Sequence, residues 1–383
     1  MQKEEKKGKG KIEEQEQEEK EHPNIEHLVI SGGGIIGFSE YTILRDSNKA
    51  GFWSLHNIQT IYATSVGTIM ATMISLGYNW DILDNYILKR PWHTVFPIEL
   101  NTLLLGFQNR GLFDSKQFDE IFAPLFKDRG LHNDITLQEF YDYTASEKQR
   151  NKENSDTNKE PTNKETSAGI EIHLIALDIN KGYSQDVDFS YKTHPKMRLL
   201  DAVYASCTLP GIFAPILTPN QECYIDGGVF HNFPLAFLLK THNPPPKTIF
   251  GIKRCVENSI DQYRITPNST LLELIGVFCS KVTERIVVTN QKEENEENEE
   301  NEENEEKEDE EQTKQKQKAI PFILRIECQP MGVASLFDIL KSVDQRRQLF
   351  KSGEQQWAQF YDKIVRKASR CSSVSDSGNT IEK

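Results

Sequence analysis

The sequence predicts an α/β fold with a mostly parallel central sheet and helices on both faces. Three observations carry this expectation. Short β-branched runs recur along the chain, helical periodicity fills the stretches between them, and no internal repeat of 20–50 residues points to a solenoid instead. The runs are residues 27–30 (HLVI), 58–62 (IQTIY), 172–177 (IHLIAL), 248–253 (TIFGIK) and 322–326 (FILRI), each short and apolar enough to be a buried strand. Residues 68–76, 199–205, 270–282 and 335–350 space their apolar side chains as helices do.

Between these elements lie segments with little to bury. Residues 1–23 read as a disordered charged tail. Residues 24–290 read as the main domain, with a motif-bearing core at about 27–254 and a low-complexity surface loop at 146–168. Residues 291–318 form an acidic Glu/Asn-rich insertion in which Glu-Glu-Asn repeats every three residues. That period matches neither helix nor strand, so the insertion is expected to stay solvated. Residues 319–370 supply a C-terminal strand and helices packing on the same domain, and 371–383 a disordered tail.

Composition narrows the function classes. The 383 residues suit one large or two small domains, and 20 Phe, 12 Tyr and 4 Trp exclude global disorder. No apolar run approaches the roughly 18 residues of a membrane span, and the Lys/Glu-rich start has no signal-peptide core. The net charge of −13 is local: residues 291–311 carry −12 and residues 1–22 carry −2, leaving the remainder at +1. A nearly neutral body lacks the electrostatic footprint of a nucleic-acid binder. The six cysteines show neither CxxC pairs nor metal-ligand spacing, so free thiols and a cytoplasmic location are expected.

Three motifs can carry chemistry. Ser31-Gly32-Gly33-Gly34-Ile35-Ile36-Gly37 follows the first strand and precedes a helix. Its glycines allow close backbone approach, and amides at the helix start favour a negative charge. The string matches a dinucleotide-binding GxGxxG, but residues 47–80 contain no acid to hold a ribose. The same donors would serve an oxyanion hole at Gly32, Gly33 and Gly34. Tyr62-Ala63-Thr64-Ser65-Val66-Gly67 follows the second strand and opens an apolar helix. A nucleophilic serine needs this strand-to-helix turn, with small neighbours such as Ala63 and Gly67; a serine that only caps the helix is the plainer reading. Ile225-Asp226-Gly227-Gly228 offers an acid on an uncrowded turn, where partial burial strengthens a carboxylate as a base. An Asp that merely starts a type I turn is the alternative. His231, only five residues on, reads as structural.

In this order the three motifs resemble the patatin-like phospholipase family: a glycine-rich oxyanion motif, a G-x-S-x-G elbow and an Asp-Gly-Gly/Ala motif. Residues 111–114 (GLFD) and 205–215 (ASCTLPGIFAP) match further family stretches, with a fainter echo at 346–353. The resemblance implies a three-layer patatin-like sandwich and a lipid acyl hydrolase with a Ser65–Asp226 dyad, Ser65 as nucleophile and Asp226 as general base. Gly37, Ala63, Gly67, Gly227 and Gly228 would support the motifs. It implies no metal and no cofactor, and a phospholipid or other acyl-ester lipid met peripherally at a membrane surface. Two departures stand out: Ala63 replaces the elbow's first glycine, and Ile36 replaces the usual Arg or Lys. They favour a second expectation, an impaired pseudoenzyme acting as a lipid-binding or interaction module; a dinucleotide-binding protein is a remote third. Head group, ester position, hydrolase against transacylase balance and oligomeric state are not encoded in these motifs. Two apolar stretches are candidates for lipid contact, a cover at residues 91–113 and the stripe of Trp357, Phe360, Tyr361 and Ile364, although core packing is the favoured reading of the first and bases set against a helix dipole that of the second.

Overall fold

The computed structural model describes residues 22–99, 108–155, 167–181, 185–256, 320–328 and 333–375, with a few positions in the stretches between. The predicted helix at 270–282 and the acidic insertion lie almost wholly outside the described residues.

The chain opens with β1 (His27–Ile30), a short 3-10 turn and α1 (Gly37–Lys49), then β2 (Thr60–Thr64) and α2 (Val66–Ser75). Next come α3 (Trp80–Lys89), α4 (Trp92–Val95), β3 (Gly111–Phe113), α5 (Lys116–Asp128) and α6 (Leu137–Ser155). They are followed by β4 (Glu171–Asp178), β5 (Gln185–Phe189), α7 (Leu199–Cys207), β6 (Gly211–Phe213), β7 (Ile216–Leu217) and β8 (Cys223–Asp226). The last elements are α8 (Leu235–Thr241), β9 (Ile249–Val256), β10 (Ile323–Cys328), α9 (Val333–Lys341) and α10 (Val343–Ser375).

The main sheet runs β10-β9-β1-β2-β4-β8-β7, with β5 also paired to β4; β3 and β6 form a separate parallel pair. From β10 to β4 every pairing is parallel, and β5, β7 and β8 pair antiparallel. Strands β1, β2 and β4 are buried along their whole length, which requires cover on both faces. The period-2 alternation sorts that cover. Val29, Tyr62 and Ile175 face Leu235, Leu238 and Leu239 of α8 in one small core. Leu28, Ile30, Ile61, Ala63 and Leu174 face the larger core with residues of α1, α2, α7 and α10. The result is the expected three layers, one of them thin.

Several expectations are corrected. α6 continues to Ser155, into the segment read as a loop from residue 146. The helix predicted at 335–350 is two helices, because Ser342 breaks the ladder and its hydroxyl accepts the Gln345 amide at 3.2 Å. The stripe of Trp357, Phe360, Tyr361 and Ile364 packs onto the large core, with Trp357 edge-on to Phe52, so it is not free to meet a membrane. In the stretch 91–113 the favoured core reading holds for the described residues: Trp92 and Phe113 are buried and Phe96 packs edge-on to Phe113. Leu103, Leu104, Leu105 and Phe107 lie outside the described residues. No helix among the described residues is long and apolar enough to cross a membrane, and Cys207, Cys223, Cys255 and Cys328 are free thiols.

Candidate active site

The register of β4 brings the second and third motifs together. Leu174 and Ile175 pair with both β2 and β5, while Ala176 to Asp178 pair with both β5 and β8. Strands β2 and β8 therefore share one edge of β4 and β5 takes the other. Along that shared edge Thr64 sits opposite Ile175, and Asp226 sits opposite the very next residue, Ala176. Ser65, one residue beyond Thr64, consequently meets Asp226, and its Oγ donates to Asp226 Oδ2 at 2.6 Å.

The turn that carries Ser65 is strained. Its φ of 53° lies in the left-handed region that L-residues avoid, at the junction of β2 and α2. The Ser65 side chain makes no capping bond to α2, which removes the plainer reading of this serine. The Thr68 hydroxyl and amide both bind the Ser65 carbonyl, and the Ser65 amide donates to Ser206 Oγ at 2.9 Å. Both groups hold the turn while the hydroxyl stays free for Asp226. Ala63 fits without displacing it: its methyl is fully buried in the large core.

The glycine-rich loop passes directly over this turn. A Cβ on Gly32 would lie 2.8 Å from the Ser65 Cβ and 2.6 Å from Asn232 Oδ1, so only glycine allows the crossing. On the other side, a Cβ on Gly67 would strike the carbonyls of Ile30 and Ser31. Gly37 packs against Val66, Gly34 borders open space, and Gly227 packs on the β4 backbone. One expected oxyanion donor is corrected here: the Gly32 amide already donates to the Asn232 carbonyl at 3.0 Å. The Gly33 and Gly34 amides have no acceptor among the described residues. Ile36, where a base was expected, is buried beneath the loop, and the aliphatic stem of Arg254 lies beside Gly33.

Asp226 divides its work between two oxygens. Oδ1 accepts the Gly228 amide at 2.7 Å, as a turn-forming Asp does, and Oδ2 takes the Ser65 hydroxyl. Burial pushes its carboxyl up to about 6, opposed by the Ser65 and Gly228 bonds. A hydroxyl donating to a desolvated carboxylate is the geometry of an activated nucleophile. His231 takes no part: its Nε2 pairs with Asp186 at 2.9 Å.

Three further residues support the site: Ser206 lies in the 205–215 stretch already matched to the family, whereas Asn232 and Glu40 carry no signal in motif spacing. Ser206 bridges the Ser65 amide to the Ile175 carbonyl, and Asn232 holds Gly32 from both its carbonyl and its Nδ2. Glu40 lies fully buried on α1 and accepts from Ser31 Oγ at 3.0 Å, its other oxygen without a partner among the described residues. Burial pushes this carboxyl up to about 8, against the pull of Ser31 and Arg254. The folded protein therefore holds a proton that the unfolded chain releases above its ordinary value near 4.5, and stability falls as pH rises from there to about 8. Glu40→Gln abolishes this decline. Urea unfolding should show the variant gaining on the wild type by up to about 1.4 kcal/mol per pH unit across the window; a constant difference at pH 5 and pH 8 would refute the assignment.

The patatin-like phospholipase family model matches residues 28–239. A protein named "probable lipid hydrolase" from Invertebrate iridescent virus 6 is 27% identical over 222 residues, 57% of this chain and 65% of its own. An uncharacterized protein of Acanthamoeba polyphaga mimivirus is 27% identical over 212 residues, 55% of this chain and 61% of its own. The matched region thus spans less than two thirds of either viral relative. Among solved structures, VipD from Legionella pneumophila aligns with a TM-score of 0.43 at 13% identity, covering 89% of this chain and 67% of VipD. Full-length ExoU from Pseudomonas aeruginosa aligns with a TM-score of 0.32 at 11% identity, covering 88% of this chain and 53% of that one.

Proposed function

The chain belongs to the patatin-like phospholipase family, and we propose that it is a lipid acyl hydrolase cleaving fatty-acyl esters through a Ser65–Asp226 dyad. The observation that carries this reading is the 2.6 Å bond from Ser65 Oγ to Asp226 Oδ2, made from a strained turn that does not cap its helix. Asp226 takes the hydroxyl proton as Ser65 Oγ attacks the ester carbonyl. The Gly33 and Gly34 amides hold the oxyanion, and the proton passes to the departing alcohol or lysolipid as the C–O bond breaks. Water, deprotonated by Asp226, then attacks the acyl-serine; the fatty acid leaves and Ser65 recovers its proton. The substrate is a phospholipid or another acyl-ester lipid at a membrane surface, reached peripherally from the cytoplasm. The name of the iridescent virus relative supports the substrate class.

The alternative of a non-catalytic lipid-binding module drew on Ala63 and Ile36. Both are buried apolar side chains that leave the Ser65–Asp226 bond intact, so the hydrolase reading is preferred. The test is incubation with mixed phospholipid vesicles, neutral-lipid emulsions and short esters, alongside labelling by a fluorophosphonate. Fatty-acid release together with a phosphonyl adduct mapped to Ser65 is expected. A folded protein that releases nothing from any of the three, and takes no label, would overturn the proposal.

A further inference from the structure

On the α8 face of the sheet, at the opposite end of β4 from the dyad, three potential metal ligands converge. Glu171 and His173 alternate onto one face of β4, and His242 follows α8. One ligand atom from each lies within 4.8 Å of the others. His173 Nε2 is 2.8 Å from Glu171 Oε1, and His242 Nε2 is 3.7 Å from Glu171 Oε2. Tetrahedral ligation at zinc distances separates donor atoms by about 3.3 Å, between those two values.

Both imidazoles are oriented for ligation. His173 Nδ1 lies 2.7 Å from Asp188 Oδ2, and His242 Nδ1 lies 3.0 Å from the Tyr62 hydroxyl. The Tyr62 ring also stacks on His173 with centroids 3.9 Å apart. A carboxylate on the far nitrogen fixes the tautomer that turns the Nε2 lone pair inward, as it does for metal-binding histidines. That lone pair then faces the Glu171 carboxylate, and two acceptors at 2.8 Å require a proton or a cation between them. Lys192 Nζ, half-exposed and 2.7 Å from Glu171 Oε2, holds one oxygen of the site and can swing into solvent.

We propose that Glu171, His173 and His242 bind one divalent transition-metal ion of the zinc class, with water as fourth ligand, tying β4 to the end of α8. Two imidazoles and one carboxylate suit zinc rather than magnesium or calcium, which prefer all-oxygen sets. The proposal does not depend on the hydrolase reading.

The experiment is equilibrium dialysis of the chelator-stripped full chain against Zn²⁺, with excess Mg²⁺ present to occupy the Glu-rich segment. One tightly held zinc per chain is expected, with a rise in thermal midpoint. His242→Gln, which can still bond Tyr62, should weaken binding about a hundredfold. Lys192→Ala should tighten it several-fold by removing the competing cation. Substoichiometric zinc, binding in His242→Gln equal to the wild type, or weaker binding in Lys192→Ala would each overturn the site; the pair would then be bridged by a proton.

Discussion

Fatty-acid release is expected to fall by about 10⁴-fold or more in Ser65→Ala, and by about 10²–10⁴-fold in Asp226→Asn. The two losses have different origins. Alanine removes the atom that attacks, so only binding and oxyanion stabilisation remain. Asparagine keeps the shape and still accepts the Gly228 amide, but no longer takes a proton. A third variant separates function from folding at the same position. Ser65 has a φ of 53°, which glycine adopts without penalty, so Ser65→Gly should be inactive and yet more stable by about 1 kcal/mol. Urea unfolding of the three variants checks this. Inactivity accompanied by lost stability in Ser65→Gly would mean the hydroxyl is structural.

The same assignment fixes the pH profile. Asp226 must be ionised to act as base, and burial raises its carboxyl to about 6. Activity should therefore rise with pH through about 6 and level off above 7, with a rate at pH 5 about tenfold below the plateau. An imidazole base would titrate in a similar range, so the profile alone does not distinguish the two. The distinction comes from His231: it pairs with Asp186, and His231→Gln should leave both limb and plateau in place.

The parts of this fold that announce themselves in sequence are those whose burial leaves no choice of residue. Strands β1, β2, β4, β9 and β10 are visible as β-branched runs because the central ones are covered on both faces. β5 is not visible, because Gln185, Asp186 and Asp188 face partly to solvent and interrupt any apolar run. The break at Ser342 is hidden by an apolar stripe that continues through it. For the site, each turn nominates its own residue, Ser65 or Asp226, but their meeting depends on consecutive residues of β4 pairing with two different strands. No local spacing reports that register. The capture of the Gly32 amide by Asn232, 200 residues away, is invisible for the same reason. So is the Glu171–His173–His242 cluster, whose third member comes from a different layer. Tertiary partners decide these bonds, and a pattern within one element carries no record of them.

Arg346→Met should be the most destabilising of these substitutions, at about 3–5 kcal/mol. The residue is 1% exposed, and no carboxylate among the described residues pairs with its guanidinium. It donates instead to four main-chain carbonyls: Leu88 and Arg90 at the end of α3, and Ile339 and Leu340 at the end of α9. Helix C-termini leave carbonyls unpaired and carry partial negative charge, so one planar cation satisfies two helix ends at once. Methionine fills the volume but strands the Leu88 and Leu340 oxygens in a dry interior, each a cost of about 1–3 kcal/mol before relaxation, while the Arg90 and Ile339 carbonyls keep the amides of Trp92 and Ser342. Arg346→Lys should recover part of the loss, since an ammonium keeps the charge but lacks the fork that spans both helices. The urea midpoints of the two variants test this ordering; equal midpoints would mean that the retained charge contributes nothing, and a lysine variant as stable as the wild type would mean that charge alone matters. None of these bonds touches Ser65 or Asp226, so the molecules that remain folded should hydrolyse esters at the wild-type rate. A rate loss exceeding the unfolded fraction would instead implicate α10, which packs against α1 through Gly353, in holding the glycine-rich loop over the serine.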